Sequence, residues 1–203
     1  MTAPMDLVKQ LRDMTGAGMM DCKRALEATS GDLQAAVAWL REKGIAKAAT
    51  RAGRTTSNGV IEAYLHSTGD GYPPQVGAIV EIDCESDFVA KGEDVRRLAR
   101  EIALHIAAAA PRFLDRESVP EELVASERQV HLNKAESEGK PAAAVEKILT
   151  GQLEAFYRDN CLLEQPYVRD PKVSIGELVA EISSKVQENI TVRRFTRYAV
   201  KEG

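Results

Sequence analysis

Hydrophobic residues recur with two different periods along this chain, and the places where the period changes mark its elements. Near the start three short helical stripes follow one another: Leu7, Val8, Leu11 and Met14; then Met19, Cys22, Ala25 and Leu26; then Leu33, Ala36, Val37 and Leu40. Gly16-Ala17-Gly18 breaks the first pair and Ser30-Gly31-Asp32 the second, with Asp32 placed as an N-cap. Gly44 stands where a helix C-terminus takes a glycine. Met19 falls on the core side of its helix, whereas Met20 shares the outer side with Lys23, Arg24 and Glu27. A solvent-facing methionine beside a glycine-flanked loop is either a simple exposed side chain or an adaptable contact. Ile45 to Asn58 reads as a helical extension dissolving into a linker, which divides the chain into a three-helix domain, 1–56, and a core, 57–203.

In the core the period falls to two. Gly59 to His66 is predicted to be a strand with Ile61, Ala63 and Leu65 inward, and Ser67 to Pro74 is turn chemistry. A second strand carries Ala78, Val80, Ile82 and Cys84 on one face, so the two form a hairpin. Helical spacing returns with Val95, Leu98, Ala99, Ile102 and Ile106, a stripe able to cover that sheet face. Ser118-Val119-Pro120-Glu121 has the form of a capping box; the helix it opens closes at Gly139, and Lys140-Pro141 starts another with Val145, Ile148, Leu149 and Phe156 on one face. So short a turn predicts an antiparallel helical hairpin over about 118–160. A second capping box, Ser174 to Glu177, opens a helix with Ile175, Leu178, Val179, Ile182 and Val186 as its stripe. The last strand, Ile190 to Val200, is expected to turn Ile190, Val192, Tyr198 and Val200 to one face and Arg193, Phe195 and Arg197 to the other. The class is α+β: three helices, then a three-stranded antiparallel sheet with packed helices and a projecting helical hairpin. Val60, Tyr64, Ile79 and Phe195 fall on the expected bare face of that sheet, and a patch this apolar predicts a homodimer, with Arg193, Arg197, Glu62 and Glu81 at its rim.

The stretch Asp83-Cys84-Glu85-Ser86-Asp87-Phe88-Val89 joins the second strand to the long helix and places a charge beside a large ring in a turn. Three readings are open. Phe88 folds back as a core plug with Asp87 as the helix cap; or the ring and carboxylate form a wedge aimed into another protein; or Asp83, Glu85 and Asp87, at alternate positions, hold a hard cation. No histidine or fourth acid stands nearby to complete the third.

Composition narrows the function further. The net charge of −4 argues against a sequence-independent nucleic-acid binder, although basic residues gather at Lys47, Arg51 and Arg54 and at Arg193, Arg194 and Arg197. Cys22, Cys84 and Cys161 are odd in number and lack ligand spacing, which suits a reducing compartment. No signal peptide or membrane span is legible, so a cytoplasmic location is expected. His66, His105 and His131 are scattered, no catalytic set emerges, and no cofactor or resident metal is expected. Gly16-Ala17-Gly18 lacks the strand before it and the Gly-Lys-Ser/Thr ending of a phosphate loop.

Two long motifs carry a resemblance. Leu7 to Leu26, reading LVKQLRDMTGAGMMDCKRAL, and Cys84 to Lys91, reading CESDFVAK, resemble the two signatures of translation elongation factor Ts. Gly31-Asp32, the Gly139-Lys140-Pro141 turn, Gln165-Pro166 and the closing strand extend the resemblance over essentially the whole chain. It implies a non-enzymatic exchange factor that releases GDP from elongation factor Tu, in the short form with one core subdomain. By the same resemblance, Asp87 and Phe88, with Val89, would intrude between two helices of the GTPase near its magnesium site. The three-helix domain, through Lys9, Arg12, Met19 and Met20, would hold another helix, and the core would rest on the GTPase's C-terminal barrel. The first domain also looks ubiquitin-associated in shape, which keeps a peptide- or ubiquitin-like-binding adaptor as the alternative.

Overall fold

In a computed structural model describing residues 4–67, 69 and 71–200, the fold is α+β. Thr68 and Asp70 of the expected turn lie outside the described residues. The helices are α1 (Met5–Thr15), α2 (Met19–Ala28), α3 (Leu33–Ala49), α4 (Asp87–Ala90), α5 (Glu93–Ala109), α6 (Glu121–Ser137), α7 (Ala142–Asn160) and α8 (Ile175–Val186). The strands are β1 (Asn58–His66), β2 (Val76–Cys84), β3 (Pro166–Tyr167), β4 (Asp170–Ser174) and β5 (Ile190–Ala199). β1, β2 and β5 form the antiparallel sheet in that order, and β3 pairs with β4. The chain divides into two compact units.

The first unit holds the chain up to Val60 with Ile82–Leu98 and Glu177–Thr191. Val8, Leu11, Cys22, Ala25, Leu26 and Ala36 make a buried cluster, with Leu7, Leu33, Val37, Trp39 and Leu40 packed partly against it. Gly16 ends α1 with φ 66°, its N–H returning to the Arg12 carbonyl, a left-handed cap that glycine takes without a steric cost. Asp32 caps α3, its carboxylate accepting from the N–H groups of Gln34 and Ala35. Gly44 does not end that helix. It is buried mid-helix, and an added Cβ would stand 3.4 Å from Ser184 Oγ on α8. Good helix formers from Ile45 to Ala49 carry the helix past the glycine, whose interior cost is only about 1 kcal/mol.

The second unit holds Ile61–Glu81, Ala99–Gly176 and the chain from Val192. Here the inward assignment of Ile61, Ala63 and Leu65 is overturned: Ile61 and Leu65 are each 67% exposed, and Tyr64 is half-buried. β1 is apolar on both faces, so alternation alone does not choose between them, and a shift of one residue exchanges every side chain. In β2, where Glu81 marks the outer face, Ala78 and Val80 are buried as expected. β5 is also corrected. Val192 is buried, but Tyr198 and Val200 are exposed, while Phe195 and Arg197 are half-buried and Arg197 Nε donates to the Ala107 carbonyl of α5.

α6 and α7 pack as the expected hairpin, tied by Arg128 to Glu146 at 3.2 Å. The Ser118 capping box does not form: α6 starts only at Glu121, behind Pro120, and the Ser118 N–H and hydroxyl both donate to Asp115. The small β3–β4 pair went unforeseen because a two-residue strand has no period to read.

Buried His105 has a determined tautomer. Nδ1 accepts from the Val168 N–H, so Nε2 carries the proton and donates to Gln165 Oε1 at 2.9 Å, while the Gln165 amide donates to the Asp159 carbonyl. Burial lowers its pKa below the ordinary 6.5. A depressed histidine pKa means the unfolded chain binds the proton more tightly, so its stabilising contribution is full above pH 6.5 and is lost as the pH falls. The Gln165 hydrogen bond acts in the opposite direction but is the smaller cause, and Tyr167 beside the ring donates its hydroxyl to Glu101. The melting temperature is expected to fall between about pH 7.5 and 5.5, and to fall less in His105→Asn. Equal pH dependence in both proteins would remove His105 as the cause.

Candidate functional site

β2 ends at Cys84, and the chain turns at once into α4. Ser86, not Asp87, is the cap: its hydroxyl accepts from the Val89 N–H at 3.3 Å. Two apolar side chains then differ sharply in exposure. Val89 is buried and anchors the turn, whereas Phe88 is 86% exposed. The core-plug reading of Phe88 therefore fails. Asp87 is solvated and pairs with Lys91 at 2.7 Å. The three alternate acids do not converge on a cation, since Glu85 bonds Arg54 and the Asn189 N–H while Asp87 bonds Lys91. The Asn189 N–H is the main cause that lowers the Glu85 pKa. Gly92 then separates the turn from α5.

Sequence reasoning missed what holds this turn from behind. Glu188, just after α8, accepts from the N–H groups of Glu85 and Ser86 at 3.1 and 3.0 Å. Such bonds join residues about a hundred positions apart, and no local pattern announces them.

The second exposed surface lies at the start of α2. Met20 is 63% exposed, as its helical position predicted. Met19 is corrected: it is 36% exposed and absent from the buried cluster, because Cys22, Ala25 and Leu26 alone fill the helix's inner side. Lys9 and Arg12 are exposed on α1. Beside this surface a cavity of about 460 Å³ is lined by Gly16, Gly18, Trp39, Lys43, Ser184 and other residues. Its Asp21 is taken up by Arg24 and Lys47, and Lys43 lies over Trp39, so no nucleophile or acid–base pair converges there. The thiols of Cys22, Cys84 and Cys161 are all buried with raised pKa values, desolvation being the largest cause, which keeps them protonated and inert. Of the four residues expected on a bare sheet face, Ile79 is exposed, and Val60, Tyr64 and Phe195 are half-buried.

The turn capped by Ser86 thus presents one bare aromatic ring, and the α1–α2 corner carries the solvent-facing Met19 and Met20. The family model for elongation factor Ts matches residues 8–202. The chain belongs to the elongation factor Ts family. It is 49% identical over 197 residues to an elongation factor Ts of Carboxydothermus hydrogenoformans, covering 97% of this chain and 88% of the relative. It is also similar to proteins of that name from Moorella thermoacetica (48% over 196 residues, 97% of this chain and 94% of the relative covered) and Caldanaerobacter subterraneus (47% over 196 residues, 97% and 96% covered). Elongation factor Ts proteins are the nucleotide exchange factors of elongation factor Tu, and this chain is accordingly a non-catalytic exchange factor of bacterial cytoplasmic translation.

Proposed function

We propose that this exchange factor releases GDP with the Asp87–Phe88 wedge and grips its GTPase with the α1–α2 surface. The observation that carries the reading is the Phe88 ring, 86% exposed on a turn whose next side chain, Val89, is buried. Exposing an aromatic ring costs hydration free energy in the free protein, and filling a partner's pocket recovers it. Val89 anchors the wedge from inside instead of touching the partner. Lys9, Arg12, Met19 and Met20 form the grip, within a helical domain taken as residues 1–56. Factor and GDP then oppose each other through the GTPase: if the factor binds the nucleotide-free form better, GDP weakens the factor by the same ratio. Stopped-flow release of a fluorescent GDP from elongation factor Tu tests the wedge. The factor accelerates release with Phe88 present and largely fails to without the ring; equal acceleration by both overturns it.

The homodimer is proposed through the outer face of the sheet's second-unit part. Ile61, Leu65, Ile79 and Tyr198, with Glu81 paired to Arg194 among them, make an exposed apolar surface. This replaces Val60, Tyr64 and Phe195 as central contacts and keeps Ile79. Twofold pairing of identical sheet faces is the simplest way for such a surface to leave water. Sedimentation is expected to show a dimer that Leu65→Asp converts to a monomer; a monomeric wild type, or a dimeric variant, contradicts the sheet-to-sheet arrangement.

A further inference from the structure

The three residues between α8 and β5 make more connections than a turn requires. Gln187 takes a left-handed φ of 66°, uncommon for a residue with a side chain, and is followed by half-buried Glu188 and buried Asn189. Glu188 reaches the wedge three times: Oε2 accepts the Glu85 and Ser86 N–H groups, and Oε1 accepts the Ser86 hydroxyl at 2.5 Å. Asn189, buried, donates its own N–H to Glu85 Oε1 at 2.6 Å. Its side-chain amide donates to the carbonyls of Ala52 and Arg54, at 3.3 and 2.9 Å, in the linker that leaves the three helices. Asn58 closes the ring from the start of β1, donating to the Glu85 carbonyl at 2.9 Å. Wedge base and linker are therefore fastened to one turn.

We propose that Glu188 and Asn189 are positioning residues for nucleotide exchange, Glu188 stiffening the backbone behind Phe88 and Asn189 fixing the linker to the same point. This role rests on the wedge reading and adds a mechanical requirement to it. A ring pressed into a partner deforms whichever side is softer, so it displaces the partner's helices only if its own base yields less. The Phe88 side chain has no packing of its own to resist the load, since it is 86% exposed. Resistance comes from buried Val89 on one side and from the backbone of Glu85 and Ser86 on the other, and Glu188 holds both of those N–H groups. A carboxylate accepting several hydrogen bonds in a partly buried place is a firmer clamp than a neutral acceptor. Asn189 extends the same rigidity to the linker, so that wedge and grip keep one spacing when both engage.

The test is a double-mutant cycle on catalysed release of fluorescent GDP from elongation factor Tu, using the full chain. Glu188→Gln keeps the side chain's shape, loses its charge and leaves one acceptor oxygen in place of two. It is expected to lower the plateau rate at saturating factor about tenfold, the scale of a lost charge-assisted hydrogen bond, with little change in the half-saturating concentration. In a Phe88→Ala background the same substitution should lower the plateau no further, because Glu188 acts through the ring. Ser183→Ala is the structural control. Its hydroxyl donates to the Glu188 carbonyl at 2.6 Å without touching the wedge, so it should lower the melting temperature and leave the plateau intact. Should Glu188→Gln fail to fold, Ser86→Ala removes the partner hydroxyl and is expected to show the same pattern. An unaltered plateau in Glu188→Gln, an equal further loss in the Phe88→Ala background, or a Ser183→Ala plateau that falls with its stability would each overturn the positioning role. If Phe88→Ala alone has no effect, the failure belongs to the wedge itself.

Discussion

Phe88→Ala is expected to slow catalysed GDP release about 30-fold while leaving the factor's own melting temperature essentially unchanged. The rate effect follows from losing an aromatic anchor worth roughly 2 kcal/mol or more in a partner's pocket. The unchanged stability follows from the ring's 86% exposure, since truncating a surface side chain seldom shifts stability by more than about 0.5 kcal/mol. Backbone support is also untouched, because the Ser86 cap and the buried Val89 lie on either side of the substitution and do not involve the ring. Two measurements decide it: thermal melting of the variant alone and stopped-flow release with elongation factor Tu. A large fall in melting temperature would mean the ring supports the fold after all; an unchanged release rate would mean the partner does not use it.

Met20→Asp is expected to weaken binding to elongation factor Tu about 30-fold without unfolding the three helices. Met20 is 63% exposed in the free chain, so an aspartate there stays hydrated until the partner arrives. Binding then strips water from an unpaired carboxylate, and a buried polar group without a partner costs about 1–3 kcal/mol by mutational measures. A second term acts in the same direction, because the adaptable thioether contact is lost. Cys22, Ala25 and Leu26, which do carry the α2 core, are left alone. Calorimetric titration against nucleotide-free elongation factor Tu reads the effect directly. Wild-type affinity in the variant would exclude Met20 from the contact.

The two exposed surfaces were differently legible. Met20 followed from helical phase, because Cys22, Ala25 and Leu26 define an inner side that excludes it. For Phe88 the residues alone left plug and wedge open; only packing decides which way a ring in a turn points. β2 was readable because Glu81 contrasts with Ala78 and Val80, whereas β1 offers Tyr64 on one face and Ile61 and Leu65 on the other, and only tertiary contact separates them. Gly44 misled for a related reason. A glycine after a helical stripe reads as a stop, yet here it lies buried inside the helix, facing Ser184 on an element some 140 residues away. The clamp of Glu188 and Asn189 on Glu85 and Ser86 had no signal at all, being built from side chain to backbone bonds between distant segments. Family membership, by contrast, stood in two contiguous motifs, since both surfaces that bear function are local stretches of chain.

The central claim is a division of labour, in which Phe88 drives nucleotide release and the α1–α2 surface supplies affinity. The most direct test is the dependence of fluorescent GDP release from elongation factor Tu on factor concentration, recorded for the wild type, Phe88→Ala and Met20→Asp. The expected result is a saturating acceleration by the wild type, a lowered plateau with nearly the same half-saturation for Phe88→Ala, and a raised half-saturating concentration with the plateau retained for Met20→Asp. A wild type that does not accelerate release, or two variants that change the same parameter alike, would contradict it.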